Sequence, residues 1–255
     1  MKDIYDDLIL QIGALTHMPW QDIPYQDSCQ TISALHFDEK MLPWPDDRNN
    51  GIVLKHDMTY ELGNGSLPAI GMEFLTSNPQ IALRDEVFLV GKDLPEITVH
   101  QPFARIVILK LKESYLQQEQ WYRMKHDAEN VKYRVNPHGY MPCISASRHR
   151  EQIRVSKEAL SQGLTFQQVG QMYLQAYHKL PFVEFATILF ITDLSFPFQE
   201  LEKILLRQNQ ITEALDHVLK DFNMDCSSCN LKTICDEVEG MKELHFQTSK
   251  QDIKE

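Results

Sequence analysis

Apolar positions recur with two different periods along this chain, and the changes of period mark its elements. Asp3 to Leu15 places Ile4, Leu8, Ile9, Ile12 and Leu15 on a helical stripe, and acids in the first turn favour a helix start there. From Met18 to Asn50 the period is lost. Pro and Asp dominate this stretch (Met18-Pro-Trp20, Leu42-Pro-Trp-Pro-Asp46), which predicts a loop or extended arm anchored by Trp20 and Trp44. After Gly51 short β-rich runs take over: Ile52–Leu54, Ala69–Leu75, Glu86–Val90 and Ala104–Leu111, with Asn64-Gly65 as a hairpin-type turn.

The second half mixes both periods. Ser114–Asn130 reads as a polar, solvent-facing helix carrying Tyr115, Leu116, Trp121 and Met124, followed by strand candidates Lys132–Val135 and Gln152–Val155. Ser156 is placed to cap a short helix ending at Gly163. Thr165 caps a longer one through His178, whose Phe166, Val169, Met172, Tyr173 and Ala176 form a core stripe. Val183–Thr192 reads as a buried strand, and Pro197 leads into a long helix over Gln199–Phe222. Strands and helices in this order predict an α+β fold of α/β layers: a mixed sheet with packed helices and a helical, cysteine-bearing C-terminal segment. The expected division is 1–50 for the N-terminal helix and arm, 51–197 for the α+β domain, and 198–255 for the C-terminal segment with a frayed tail.

Composition narrows the class. The 255 residues are 43% hydrophobic and 24% charged, so the chain is expected to fold and bury a core. Its 25 basic against 36 acidic residues give a net charge of −11, which argues against nucleic acid or anionic lipid as partners. The most apolar runs, 105–110 and 185–191, fall far short of the roughly 20 residues that a membrane-spanning helix needs. Met1 to Asp7 carries acids where a secretory leader carries basic residues. A cytoplasmic protein with reduced thiols is the expectation.

Three of the five cysteines lie within ten residues, in Cys226-Ser-Ser-Cys229-Asn-Leu-Lys-Thr-Ile-Cys235. A Cys-x2-Cys loop lets two thiolates converge on one centre, and one helical turn can return the third. In a reduced compartment such spacing points to metal or redox chemistry more than to a disulfide. The bland alternative, three small residues in a helix corner, fits a polar segment poorly, because structural cysteines favour apolar neighbours. An iron–sulfur cluster typically takes four thiolates, the fourth here being Cys143 or Cys29. Zinc would accept three cysteines with His245. The absence of a close second Cys/His pair favours iron–sulfur, and the spacing resembles the cluster loop of iron–sulfur nucleases and helicases. A thioredoxin-like role lacks the strand-to-helix setting it needs.

A basic island interrupts the acidic chain: Arg134, Arg148, Arg150, Arg154 and Lys157, with His138 and His149. Guanidinium forks suit phosphate. The plainer reading is a strand whose alternate residues face solvent and pair with acids such as Glu151 and Glu158.

The same region carries a resemblance. The run Gln152-Ile-Arg-Val-Ser-Lys-Glu-Ala-Leu-Ser-Gln-Gly-Leu-Thr-Phe-Gln-Gln-Val-Gly170, continued by Tyr177-His-Lys-Leu-Pro181 and Ile188-Leu-Phe-Ile-Thr192, resembles a middle domain of acetyl-CoA synthase. That is the beta subunit of the CO dehydrogenase/acetyl-CoA synthase complex. Weaker similarity at Glu61-Leu-Gly63 and Glu73-Phe-Leu-Thr-Ser77 extends it over roughly residues 55–195. The resemblance implies an α+β domain whose arginines receive coenzyme A. The matching positions are Arg148 and Arg154, with Arg150 close by; the accompanying aromatic is replaced near Cys143. The family builds its nickel–iron–sulfur centre from four clustered cysteines and a Cys-Gly-Cys, which this sequence does not contain.

Three functions follow as expectations. The first is an acetyl-CoA-synthase-like iron–sulfur protein of one-carbon metabolism, accessory or electron-transferring, partnered with CO dehydrogenase or a corrinoid protein. The second is a zinc-stapled protein-binding module, and the third a coenzyme A-binding enzyme domain using Arg148, Arg150 and Arg154. His56-Asp57, His100 and His126-Asp127 lack any nucleophile motif, and no glycine-rich phosphate loop is present.

Overall fold

The computed structural model describes residues 4–18, 32–35, 44–45, 51–81, 83–115, 121–145, 149–219 and 232–237. Its strands are β1 (Ile32–Leu35), β2 (Met58–Leu62), β3 (Ala69–Thr76), β4 (Glu86–Val90), β5 (Phe103–Leu111), β6 (Tyr140–Ser145), β7 (Arg150–Ser156) and β8 (Val183–Ile191). The α-helices are α1 (Asp6–Thr16), α2 (Trp121–Asn130), α3 (Lys157–Ser161), α4 (Phe166–His178), α5 (Phe198–Leu219) and α6 (Lys232–Glu237). This is an α+β fold.

Five strands form a mixed sheet in the order β1-β4-β8-β5-β3. β3 runs parallel to β5 and β4 parallel to β8, while β5–β8 and β1–β4 are antiparallel. A second, antiparallel sheet has the order β2-β7-β6. β3 is buried at every position and β5 at all but Lys110, because layers cover both faces of the large sheet. On one face α4 packs through Phe166, which stacks on Phe190 (4.6 Å between ring centres) beside Phe103, while β7 lies over β3 and β5. α1 takes the other face, where Tyr5 meets Phe74 edge-on and the Asp6 carboxylate accepts from Thr76 Oγ1 at 2.8 Å. α5 packs on α1 and β3, and α6 on α5. No described helix is long and apolar enough to cross a membrane.

Local chemistry explains several element boundaries. The Thr165 side chain and Gln168 cap each other reciprocally at the start of α4, and Ser156 Oγ accepts from Ala159 N at 3.1 Å to start α3. Both caps match the sequence reading, as do α1, β3, β4, β5, β7 and β8. Trp44 is buried, and its indole N–H donates to the His138 carbonyl at 2.9 Å, so it is the anchor expected. Trp20 lies outside the described residues.

The differences have physical causes. Residues 52–54 are not a strand. Only Val53 is buried there, its N–H reaching Met141 Sδ at 3.2 Å, while Ile52 and Leu54 face solvent and no ladder among the described residues partners the run. The strand is β2, where Tyr60 and Leu62 point inward. Asn64-Gly65 does not close a hairpin, because it joins β2 in the small sheet to β3 in the large one. The arm contains β1, paired with β4. Residues 131–133 form a 3-10 turn, not a strand, because Val131 and Lys132 are both drawn inward. β6 was hidden by Pro142, a residue that central strands reject but that this edge strand tolerates. α2 is not solvent-facing: Trp121, Met124, Ala128 and even Lys125 are buried.

Candidate functional site

β7 alternates, as a strand between two environments must. Glu151, Ile153 and Val155 are buried against the large sheet, while Arg150, Gln152 and Arg154 are half-buried on the outer face. The register sets Arg154 opposite Glu61 on β2 and Met141 on β6, and Gln152 opposite Cys143. Arg150, Arg154 and Cys143 therefore share one face of the small sheet. Three of the residues singled out from sequence are brought together by strand pairing.

Their states differ. Arg150 Nη2 donates to the carbonyls of Gly63, Asn64 and Leu67 at 2.9, 2.5 and 3.3 Å, pinning the turn between β2 and β3. Arg154 Nε donates to Glu61 Oε1 at 2.9 Å. Its terminal nitrogens have no hydrogen bond among the described residues. Burial pushes the Cys143 thiol above its ordinary pKa, opposed by the Arg154 charge. Arg134 is exposed, and Lys157 Nζ reaches the His56 carbonyl at 3.2 Å. Arg148 lies outside the described residues.

Glu151 does not pair with the surface arginines. It points the other way, into a charge network that sequence reasoning missed. Arg105 on β5 is fully buried, and its Nε and Nη2 donate to the two carboxylate oxygens of Glu151 at 2.6 Å each. Nη2 also donates to Glu73 Oε1 at 2.6 Å. Lys132 Nζ lies 3.8 Å from Glu73 Oε2, and Lys125 Nζ bonds the Glu73 carbonyl and Glu129. The Arg105 guanidinium sits 4.8 Å from the centre of the Tyr173 ring. Burial drives the Glu73 carboxyl upward, but Arg105, Lys132 and Lys125 outweigh it and hold the group below its ordinary value. His149, beside the network in a left-handed conformation (φ 47°), has its imidazole pushed down by burial and by Lys132. The sequence signal was a charged residue inside an apolar strand run, Arg105 in β5 and Glu73 in β3.

Of the remaining candidates, Cys226, Cys229, Cys29 and His245 lie outside the described residues. Cys235 falls on α6, and nothing is described of its side chain. α6 packs on α5, whereas Cys143 lies on the small sheet. Among the described residues no three His, Cys, Asp or Glu side chains form a metal-binding group. His100 Nδ1 accepts from the Glu61 N–H at 2.8 Å, and His126 bonds Asn130. His56 and Asp57 meet at 3.4 Å on the surface. A groove of about 500 Å³ opens where β3 and β5 end, lined by Ile81, Leu83, Lys110, Lys112 and Phe185 among others.

The family model of the beta subunit of the CO dehydrogenase/acetyl-CoA synthase complex matches residues 49–195, more than half of the chain. The match takes in β2 through β8 and the arginine-bearing face, and leaves out β1, α1, α5 and α6. No curated protein matches the chain.

Proposed function

The chain belongs to the family of the CO dehydrogenase/acetyl-CoA synthase complex beta subunit, and we propose that within it this protein is an accessory iron–sulfur protein of one-carbon metabolism. One joint observation carries the reading. The family match covers residues 49–195, while the 255 residues hold no Cys-Gly-Cys and instead cluster three thiols at Cys226, Cys229 and Cys235. Thiolates are the ligands such clusters take, usually four. These three would hold the cluster, with the fourth thiolate from Cys143 or Cys29; His245 would complete a zinc site instead. When bound, the cluster supplies one-electron transfer. The partner served is CO dehydrogenase or a corrinoid protein of the same metabolism, in the cytoplasm.

Anaerobic purification with iron, sulfide and zinc analysis and a visible spectrum tests the reading. About four irons per chain with broad visible absorbance is the expected result. A colourless protein with stoichiometric zinc overturns it in favour of a zinc-stapled protein-binding module.

A second reading has its own support: β7 sets Arg150 and Arg154 on one outward face, and among the described residues Arg154 is engaged through Nε alone. That face suits the phosphates of coenzyme A, with Arg148 nearby in sequence. Calorimetric titration with coenzyme A at low and moderate salt decides it; no heat at millimolar ligand excludes it.

A further inference from the structure

Four buried polar groups on β5, β6 and α4, where the small sheet and α4 cover the large sheet, have no hydrogen-bond partner among the described residues. They are Arg105 Nη1 and the hydroxyls of Tyr140, Tyr173 and Tyr177. All four side chains are 0% exposed. They come from separate elements: Arg105 from β5, Tyr140 from β6, and the other two from α4. The Arg105 guanidinium lies 4.8 Å from the Tyr173 ring centre, and the Tyr173 and Tyr177 rings stack at 6.3 Å. The Tyr140 hydroxyl is within electrostatic reach of Tyr173, Glu151 and Arg105. Buried donors in folded proteins are almost always bonded, by protein or by ordered water.

We propose that these groups line an internal site that binds ordered water. Charge selects the ligand. The surrounding network sets Arg105, Lys125 and Lys132 against Glu73, Glu129 and Glu151. Three positive charges balance three negative, so an added anion or cation would be buried without compensation. Hydrogen-bond chemistry agrees. Burial keeps all three phenols protonated, raising Tyr140, Tyr173 and Tyr177 above the ordinary tyrosine value. Each phenol can then donate and accept, whereas Arg105 Nη1 only donates. A bridging ligand must accept from the guanidinium and exchange bonds in both senses with the phenols. Water does both, at about three bonds each. The bridge ties β5, β6 and α4 together beneath the small sheet whose outer face carries Arg150, Arg154 and Cys143. It does not depend on the iron–sulfur or coenzyme A reading.

Two measurements test it. A crystal structure at water-resolving resolution should show density within hydrogen-bond distance of Arg105 Nη1 and of at least one of the three tyrosines. A dry site overturns the proposal, and so does an anomalous bromide peak there after a halide soak. Independently, Tyr173→Phe and Tyr177→Phe should each lower Tm, because each removes a bonded hydroxyl. An unchanged or raised Tm in both overturns it, since deleting an unbonded buried hydroxyl relieves a penalty.

Discussion

Gly71 and Glu151 approach each other from facing sheets so closely that a Cβ on Gly71 would lie 2.4 Å from Glu151 Oε2. The missing side chain on β3 makes room for the carboxylate that takes both Nε and Nη2 of Arg105. The Gly71 N–H also donates to the His149 carbonyl at 3.1 Å, so the backbones of the two layers touch here. Gly71→Ala should displace Glu151 and leave Arg105 half-paired. Breaking a buried pair by losing one partner costs about 3–5 kcal/mol, and partial relaxation brings the expected loss to roughly 2–4 kcal/mol in a denaturant melt.

Arg105→Met removes the cation and leaves the Glu73 and Glu151 carboxylates buried without their principal partner. The expected loss is about 3–5 kcal/mol. Adding Glu73→Gln and Glu151→Gln to the same chain should recover part of that loss, because the penalty is uncompensated charge and not lost volume. Chemical denaturation of the single and triple variants checks both statements.

Stability should fall on acidification in two stages. The folded state holds His149 below its ordinary value, with burial the larger cause. Its contribution is therefore complete above about pH 6.5 and lost as pH drops through the folded value. Glu73 is also held down in the folded state, where the surrounding cations outweigh burial. Its contribution is complete above about pH 4.3 and lost below. A Tm-versus-pH series should show both limbs. His149→Asn, which tolerates the left-handed backbone, should abolish only the upper one.

Asp93 caps two helical starts at once: its Oδ1 accepts from Leu94 N at 2.7 Å and from Phe166 N at 2.8 Å. Thr165 caps only one helix, α4. Loss of one cap typically costs about 1 kcal/mol. Asp93→Ala should therefore destabilise by roughly twice as much as Thr165→Ala, measured by thermal or urea unfolding.

Ser substitutions at Cys226, Cys229 and Cys235 should each reduce bound metal in anaerobically purified protein. Cys143→Ser, Cys29→Ser and His245→Ala assign the fourth ligand, because only the true ligand's loss lowers the metal content. Metal analysis of the six variants reads this directly.

The apolar periods alone determined β3, β4, β5, β7, β8, α1 and the two capped helices, because burial on one face or both leaves a repeat that propensity and capping reinforce. The resemblance in residues 152–192 likewise stood in the sequence before any fold. Tertiary structure decided what no local window encodes. It placed Cys143 beside Arg150 and Arg154 by strand register, and turned Glu151 inward and away from its arginine neighbours in sequence. It also drew Lys125 and Lys132 into the interior. A charged residue reads as surface until a partner of opposite sign, 32 or 46 residues away as Glu73 and Glu151 are from Arg105, is folded against it. The cost of burying a charge depends on what surrounds it in space, and order along the chain does not record that.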